Sequence, residues 1–391
     1  MKIFYKGGKP LKLSKILKSV VILACAGALA ASFAACNSDK PKTEKPAKTH
    51  DPVTLEMSDK PGTYEPHNFV DGKCTMCDET TIFTQDSIKG DDILVKACDQ
   101  QGEVNKIQYT TTAYGEDPMT RTAWVYTPYG YDAEATSVKY NVLYMLHGSG
   151  LNEGFWFANG TFTPDSSRYD STYGTNNLFD NMIKAGTAEK AIVVCPTYYK
   201  TGEDGNTLDE GNDVDTTNFY KELKNDLMPY IAENYNTYAA LTADMTAEQK
   251  TSALVAARDH QGYVGLSLGS MISFTTVWAN CIDVFSYIGS FSGGVAVEDT
   301  QKLIETKNTT FKDYDINYWY VSLGTAENNQ YPGDPFGDFR AMVAGIDGLK
   351  QGDNIEAGEN CQYMKCNRTG HSYQTWITSL YNCLQVFFKA A

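Results

Sequence analysis

From about Phe83 onward, two kinds of apolar pattern take turns along the chain. Tyr140 to Leu146 and Ala191 to Cys195 are near-continuous apolar runs, the pattern of strands buried on both faces. Ile107 to Tyr114 and Arg121 to Thr127 alternate apolar with polar positions, as half-buried strands do. Further strands are predicted near Phe285 to Phe291, Trp319 to Leu323 and Gln362 to Lys365. Between them the period lengthens. Phe219 to Tyr235 carries Leu223, Leu227 and Ile231 at helical spacing. Helices are also predicted within Thr237 to Ala257, over Met271 to Asn280, near Phe339 to Ile346, and from Tyr373 to Phe388. Strands alternating with helices predict an α/β domain, a mainly parallel sheet with helices on both faces, over residues 83–391.

The first 82 residues read differently. Lysines from Lys2 to Lys18 precede an apolar run, Val20 to Ala35, too short to span a bilayer as a helix and ending in Ser32-Phe33-Ala34-Ala35-Cys36. Residues 1–35 therefore read as a lipoprotein signal peptide and Cys36 as the lipidated first residue of the mature chain. The expected location is extracellular, held to the bacterial membrane through that anchor alone. Residues 36–65 are rich in Lys, Pro, Thr and Asp, and bury too little to offset their chain entropy; they read as a flexible tether. Within residues 66–82, Cys74 and Cys77 form a Cys-x-x-Cys beside His67, half of a zinc knuckle. Cys98 or His50 would complete such a site; equally, Cys74 and Cys77 are oxidised or free. No metal or cofactor is assigned to the chemistry.

With 391 residues the chain has ample length for a large core, and its net charge of −15 argues against nucleic acid or an anionic membrane surface as a partner.

Candidate chemistry centres on Gly265-Leu266-Ser267-Leu268-Gly269, between an apolar run and a helical segment. A serine hydroxyl is a weak nucleophile that needs exposure, a base and a place for the oxyanion. A sharp strand-to-helix turn exposes it and aims helix N-terminal amides at the developing charge. Gly265 and Gly269 suit so crowded a turn. Five histidines are available for the base. His50 and His67 lie in the tether and Cys-x-x-Cys regions. His147, in Leu146-His147-Gly148-Ser149-Gly150, belongs to a loop of the kind that presents backbone amides to an oxyanion. His260 precedes the nucleophile strand and falls at its far end. His371 follows the last strand, where loops gather at the C-terminal edge of a parallel sheet, and is the candidate base. The acid is sought between them: Glu327, after the strand Tyr318 to Leu323, with Asp334 and Asp338 as rivals. Leu268 N–H and an amide beside Ser149 are the candidate oxyanion donors. Trp156 and Trp376 are candidates for lining a substrate pocket, with structural roles as the alternative.

Leu146-His147-Gly148, Gly265-Leu266-Ser267-Leu268-Gly269, Gly324-Thr325-Ala326-Glu327 and Gly370-His371-Ser372, with Trp376, together resemble the esterase D or carbohydrate esterase family 1 group of α/β-hydrolases, which includes feruloyl and acetyl xylan esterases. The resemblance runs from about Val104 to the C-terminus and takes in Phe219 to Pro229 and Leu380-Tyr381-Asn382. Two positions depart from it. Leu268-Gly269-Ser270 stands where the family commonly has Met-Gly-Gly, and Glu327 where it usually has Asp. The resemblance implies a serine esterase with the triad Ser267, His371 and Glu327, removing feruloyl or acetyl groups from plant polysaccharide such as xylan. A glycan-binding lipoprotein on a hydrolase scaffold, or a peptidase or lipase of the same fold, are the competing expectations. Of the remaining cysteines, Cys195, Cys281 and Cys383 fall in core elements as buried thiols, while Cys361 and Cys366 are close enough in sequence to bridge a hairpin leading to His371.

Overall fold

The computed structural model describes residues 69–70, 73–74, 83–88 and 90–389, less 158–174, 203–205, 209–210 and 328–334. The signal-peptide and tether readings, Cys36, His50, His67, Cys77 and the rival acid Asp334 therefore lie outside the described residues. Phe69–Val70 and Lys73–Cys74 pair as a short antiparallel ladder. The other described elements are organised by one nine-stranded sheet.

Its strands, in chain order, are β1 (Phe83–Asp86), β2 (Glu103–Thr111), β3 (Met119–Thr127), β4 (Asn141–Leu146), β5 (Ala191–Pro196), β6 (Gln261–Leu266), β7 (Tyr287–Phe291), β8 (Tyr318–Gly324) and β9 (Cys361–Asn367). They lie side by side as β1-β9-β8-β7-β6-β4-β5-β3-β2. Every neighbouring pair from β1 across to β5 is parallel. Only β3 against β5 and β2 against β3 run antiparallel. The central strands β4 to β8 are buried along their whole length, which the apolar runs require. Edge strand β2 alternates exposed and covered residues instead.

Alternation of side chains divides the core into two layers. On β8, Trp319 and Val321 join one layer, with Leu223, Trp278 and Phe339 from helices on that face. Tyr318 and Tyr320 join the other, with Phe179, Trp376 and Leu380 from helices Thr175–Ala185 and Tyr373–Val386. Fully burying side chains of this size contributes roughly 2–3 kcal/mol each.

The helix expected over Phe219 to Tyr235 forms as three contiguous pieces, Phe219–Glu222, Leu223–Leu227 and Met228–Asn234, the middle one a π turn. Within Thr237 to Ala257 only Ala247–Ala256 is helical, because Thr246 and Gln249 close a reciprocal capping box that starts the helix there. β1 and the helices Thr175–Ala185 and Val297–Thr309 add to the elements that periodicity predicts.

One expectation is overturned. Cys361 and Cys366 stand near opposite ends of β9, not across a hairpin, and both are buried free thiols. Five residues of extended strand separate them by about 16 Å, while a disulfide needs Cα atoms within about 7 Å. Cys195, Cys281 and Cys383 are buried free thiols as expected, and so is Cys98, its sulfur accepting the Gln100 N–H.

Candidate active site

β6 ends at Leu266 and the helix Leu268–Ile272 begins two residues later, so Ser267 alone makes the turn. Its backbone sits at φ 53° and ψ −119°, a conformation that costs a non-glycine residue about 1–3 kcal/mol. The turn is held from beside it: Ser267 N–H donates to the Phe291 carbonyl at 2.8 Å. Gly265 must be glycine, since a Cβ there would stand 2.1 Å from the Gly269 carbonyl oxygen.

Two long-range contacts meet at this serine. His371 Nε2 lies 2.8 Å from Ser267 Oγ, and His371 Nδ1 lies 2.9 Å from Glu327 Oε2. Glu327 follows β8 and His371 follows β9, so parallel neighbours deliver both to the same sheet edge as the turn after β6. The carboxylate is buried and held: its Oε1 accepts from Gly324 N–H at 2.7 Å and from Ser292 O–H at 2.8 Å. Nδ1 faces a carboxylate that can only accept, so it carries the proton, leaving Nε2 free to take one from Ser267.

The other candidates are elsewhere. Asp338, on the helix Pro335–Gly345, is buried against the start of the helix Val297–Thr309, accepting from Val295 N–H at 2.9 Å and from the Thr300 hydroxyl. His260 is at the start of β6, bonded to Asn141 and stacked on Tyr238, the far end of the strand from Ser267. Trp156 and Trp376 are corrected as pocket walls: each is 1 % exposed. Trp376 points inward because its helix Tyr373–Val386 packs that face on the sheet; its indole N–H donates to Ser292 Oγ at 3.0 Å, and its ring meets the His371 ring edge to face.

The loop after β4 lies against the turn. A Cβ on Gly148 would stand 2.7 Å from Leu266 Cδ1 and 2.9 Å from Ser267 Cβ. Ser149 is exposed beside it, and Leu268 opens its helix, where N–H groups have no intrahelical partner. His147 pins this loop from below. Its Nδ1 is 2.8 Å from the Gly148 carbonyl, so that nitrogen carries the proton, and its Nε2 is 2.7 Å from the Thr197 hydroxyl. Burial pushes the imidazole down to about 4, so it stays neutral at ordinary pH.

Beneath the loop sits a buried ion pair that periodicity does not reveal. Arg121 Nε donates to Glu222 at 2.9 Å, while the rest of its guanidinium donates to the carbonyls of Thr197 and Tyr199. Tyr109 and Tyr114 hydroxyls donate to the same carboxylate. Tyr199 in turn accepts the Gly150 N–H at 2.8 Å, tying the ion pair to the loop. Arginine on an otherwise half-buried strand is the one sequence signal of this cluster.

The arrangement can carry out acyl transfer: a hydroxyl, a base in contact with it, a carboxylate holding the base, and a backbone loop against the hydroxyl. The family model of esterases matches residues 118–385, which span the sheet from β3 to the last helix. The chain belongs to the esterase family. Its mainly parallel sheet flanked by helices is an α/β-hydrolase fold.

Among its curated relatives, endo-1,4-beta-xylanase Y of Acetivibrio thermocellus is 30 % identical over 202 residues, covering 52 % of this chain and 15 % of the relative. An endo-1,4-beta-xylanase/feruloyl esterase of Xylanibacter ruminicola is 24 % identical over 294 residues, covering 74 % of this chain and 32 % of the relative. The chain thus spans under a third of the length of either. Among solved structures, the feruloyl esterase module of Clostridium thermocellum, an S954A mutant complexed with sinapinate, has a TM-score of 0.58 and 24 % identity, covering 80 % of this chain and 95 % of that one. A ferulic acid esterase of the anaerobic fungus Anaeromyces mucronatus has a TM-score of 0.51 and 18 % identity, covering 79 % and 99 %.

Proposed function

We propose that this esterase removes feruloyl, or failing that acetyl, groups from plant cell-wall polysaccharide such as xylan, with Ser267 as nucleophile. The observation that carries the mechanism is the unbroken contact from Ser267 through His371 to Glu327. What supports the substrate class is that relatives and structural neighbours are named as xylanases and feruloyl esterases.

Ser267 Oγ attacks the ester carbonyl carbon while His371 Nε2 takes its proton. The oxyanion forms against Leu268 N–H and the Gly148–Ser149 stretch, donors fixed before reaction begins. His371 then protonates the departing sugar oxygen, leaving the acyl group on Ser267. Water attacks that acyl-enzyme with His371 again as base, and the free acid and serine are restored. Glu327 holds the imidazole with Nδ1 protonated and stabilises the imidazolium that forms twice per turnover.

Ser267→Ala should lower kcat by several orders of magnitude on a 4-nitrophenyl ester, and a fluorophosphonate should label Ser267 alone. Labelling elsewhere, or near-normal turnover by the variant, would sink the reading. Mass spectrometry of products from feruloylated and acetylated xylo-oligosaccharides then decides the acyl group.

The same proposal places the enzyme outside the bacterial cell, anchored by acyl chains on Cys36, because small residues precede that cysteine at the end of a short apolar run. Cys36→Ser should move the protein from the detergent phase to the aqueous phase with activity intact; partition that survives the substitution refutes the anchor.

A further inference from the structure

Ser292 is buried directly after β7, yet its backbone adopts φ 55°, left-handed and unfavourable for a residue with a side chain. Its neighbours explain the position. Phe291 carbonyl accepts the Ser267 N–H, Gly293 carbonyl accepts from Ser270 Oγ, and Ser292 N–H itself donates to the Ser322 carbonyl on β8. The turn is stitched to the nucleophile turn on one side and to the acid's strand on the other.

A serine hydroxyl can donate one hydrogen bond and accept others, and either sense is open to it until its surroundings choose. Here they choose. The indole nitrogen of Trp376 is a donor only, so Ser292 Oγ accepts there at 3.0 Å, and its proton is free to point at Glu327 Oε1, 2.8 Å away. Both bonds are buried, where no competing water weakens them. Trp376 also packs edge to face with the His371 ring, centroids 5.1 Å apart at 87°. One indole thus touches the base directly and the acid through one hydroxyl.

We infer that Ser292 and Trp376 are positioning residues of this esterase: the chain Trp376–Ser292–Glu327 fixes the orientation of the carboxylate, and through it that of His371 relative to Ser267. The inference rests on the proposed roles of Ser267, His371 and Glu327. It also accounts for a glutamate at this position. The longer side chain reaches a hydroxyl donor on the neighbouring strand's turn while its second oxygen stays on His371. Ser292 neither touches substrate nor exchanges a proton with it.

Ser292→Gly separates the hydroxyl from the backbone, because glycine adopts φ 55° without penalty. If Ser292 served only the turn, the glycine variant would keep wild-type kcat and melt no lower. The inference instead expects kcat on a 4-nitrophenyl ester to fall about tenfold or more, with KM unchanged and the melting temperature within a few degrees of wild type. Trp376→Phe keeps the ring against His371 but removes the donor, and should lower kcat in the same way. The double variant should be no worse than the poorer single, since both break one chain. An activity-independent reading is the low-field proton resonance of His371 Nδ1–H, which should move in Ser292→Gly. Unchanged kcat and an unmoved resonance in Ser292→Gly would overturn the inference, as would fully additive losses. If Trp376→Phe fails to fold, Ser292→Gly decides alone. Wild-type protein that hydrolyses no ester would instead refute the functional reading, and the resonance would still report on the chain.

Discussion

Gly148 and Ser267 approach so closely that any side chain on the glycine would collide with the serine: a Cβ there would lie 2.9 Å from Ser267 Cβ. The loop after β4 and the turn after β6 are thus fitted to each other at the point where an ester carbonyl would sit. Gly148→Ala must push the loop back, and with it the proposed oxyanion donor. It should lower kcat by about a hundredfold with little change in KM, since loss of one such donor costs that much elsewhere. Steady-state kinetics on a 4-nitrophenyl ester check it, with circular dichroism to show that the fold survives.

Glu327 makes three hydrogen bonds at once, to Gly324 N–H, the Ser292 hydroxyl and His371. Glu327→Gln puts an amide against His371 Nδ1 and favours the wrong tautomer; kcat should fall by about a hundredfold or more. Glu327→Asp draws the carboxylate back by about 1.5 Å. It cannot keep all three partners, so its kcat should fall between those of wild type and Glu327→Gln. Aspartate activity equal to or above wild type would contradict the fitted geometry.

Asp338 shows the opposite balance. Its two oxygens serve Val295 N–H and the Thr300 hydroxyl, away from His371. Asp338→Asn loses one acceptor inside the protein, and stability should drop by about 1–3 kcal/mol. The folded variant should keep wild-type kcat. Urea titration measures the first quantity and active-site-titrated kinetics the second.

His147 makes stability depend on acid. Its folded value of about 4 lies below the ordinary histidine value near 6.5, so the unfolded chain binds more protons between those limits. Its contribution is present above about pH 6.5 and is lost as pH falls toward about 4, on the order of 3 kcal/mol in all. Urea unfolding at pH 7 and pH 5 should show wild type losing stability on acidification. His147→Asn, less stable throughout, should show a shallower dependence.

The buried ion pair gives a further expectation. Glu222→Gln leaves the Arg121 guanidinium without its counter-charge at a fully buried site. Breaking such a pair costs about 3–5 kcal/mol. Calorimetry should show a large drop in melting temperature, and any folded fraction should have reduced kcat because Arg121 holds the Thr197 and Tyr199 carbonyls beneath the loop.

Much of this protein is written locally. Runs such as Tyr140 to Leu146 must be buried on both faces, and that alone implies a covered, mainly parallel sheet. The turn at Ser267 is equally local, because two glycines bracket a single serine within five residues. His371 follows from its place after the last strand. What spacing along the chain does not contain is which distant groups meet. Ser267 and His371 are 104 residues apart, and His371 and Glu327 are 44 apart. The strand order β9-β8-β7-β6 brings them to one edge, while the helix Pro335–Gly345 carries Asp338 away to Val295 and Thr300. The interior places of Trp156 and Trp376, the two ends of β9 that hold Cys361 and Cys366, and the Ser292 hydroxyl behind the acid were all decided at that level. The hydrophobic period is a property of a dozen neighbouring residues. Contact between side chains depends on how whole strands are ordered and packed, and no short window of sequence holds that information.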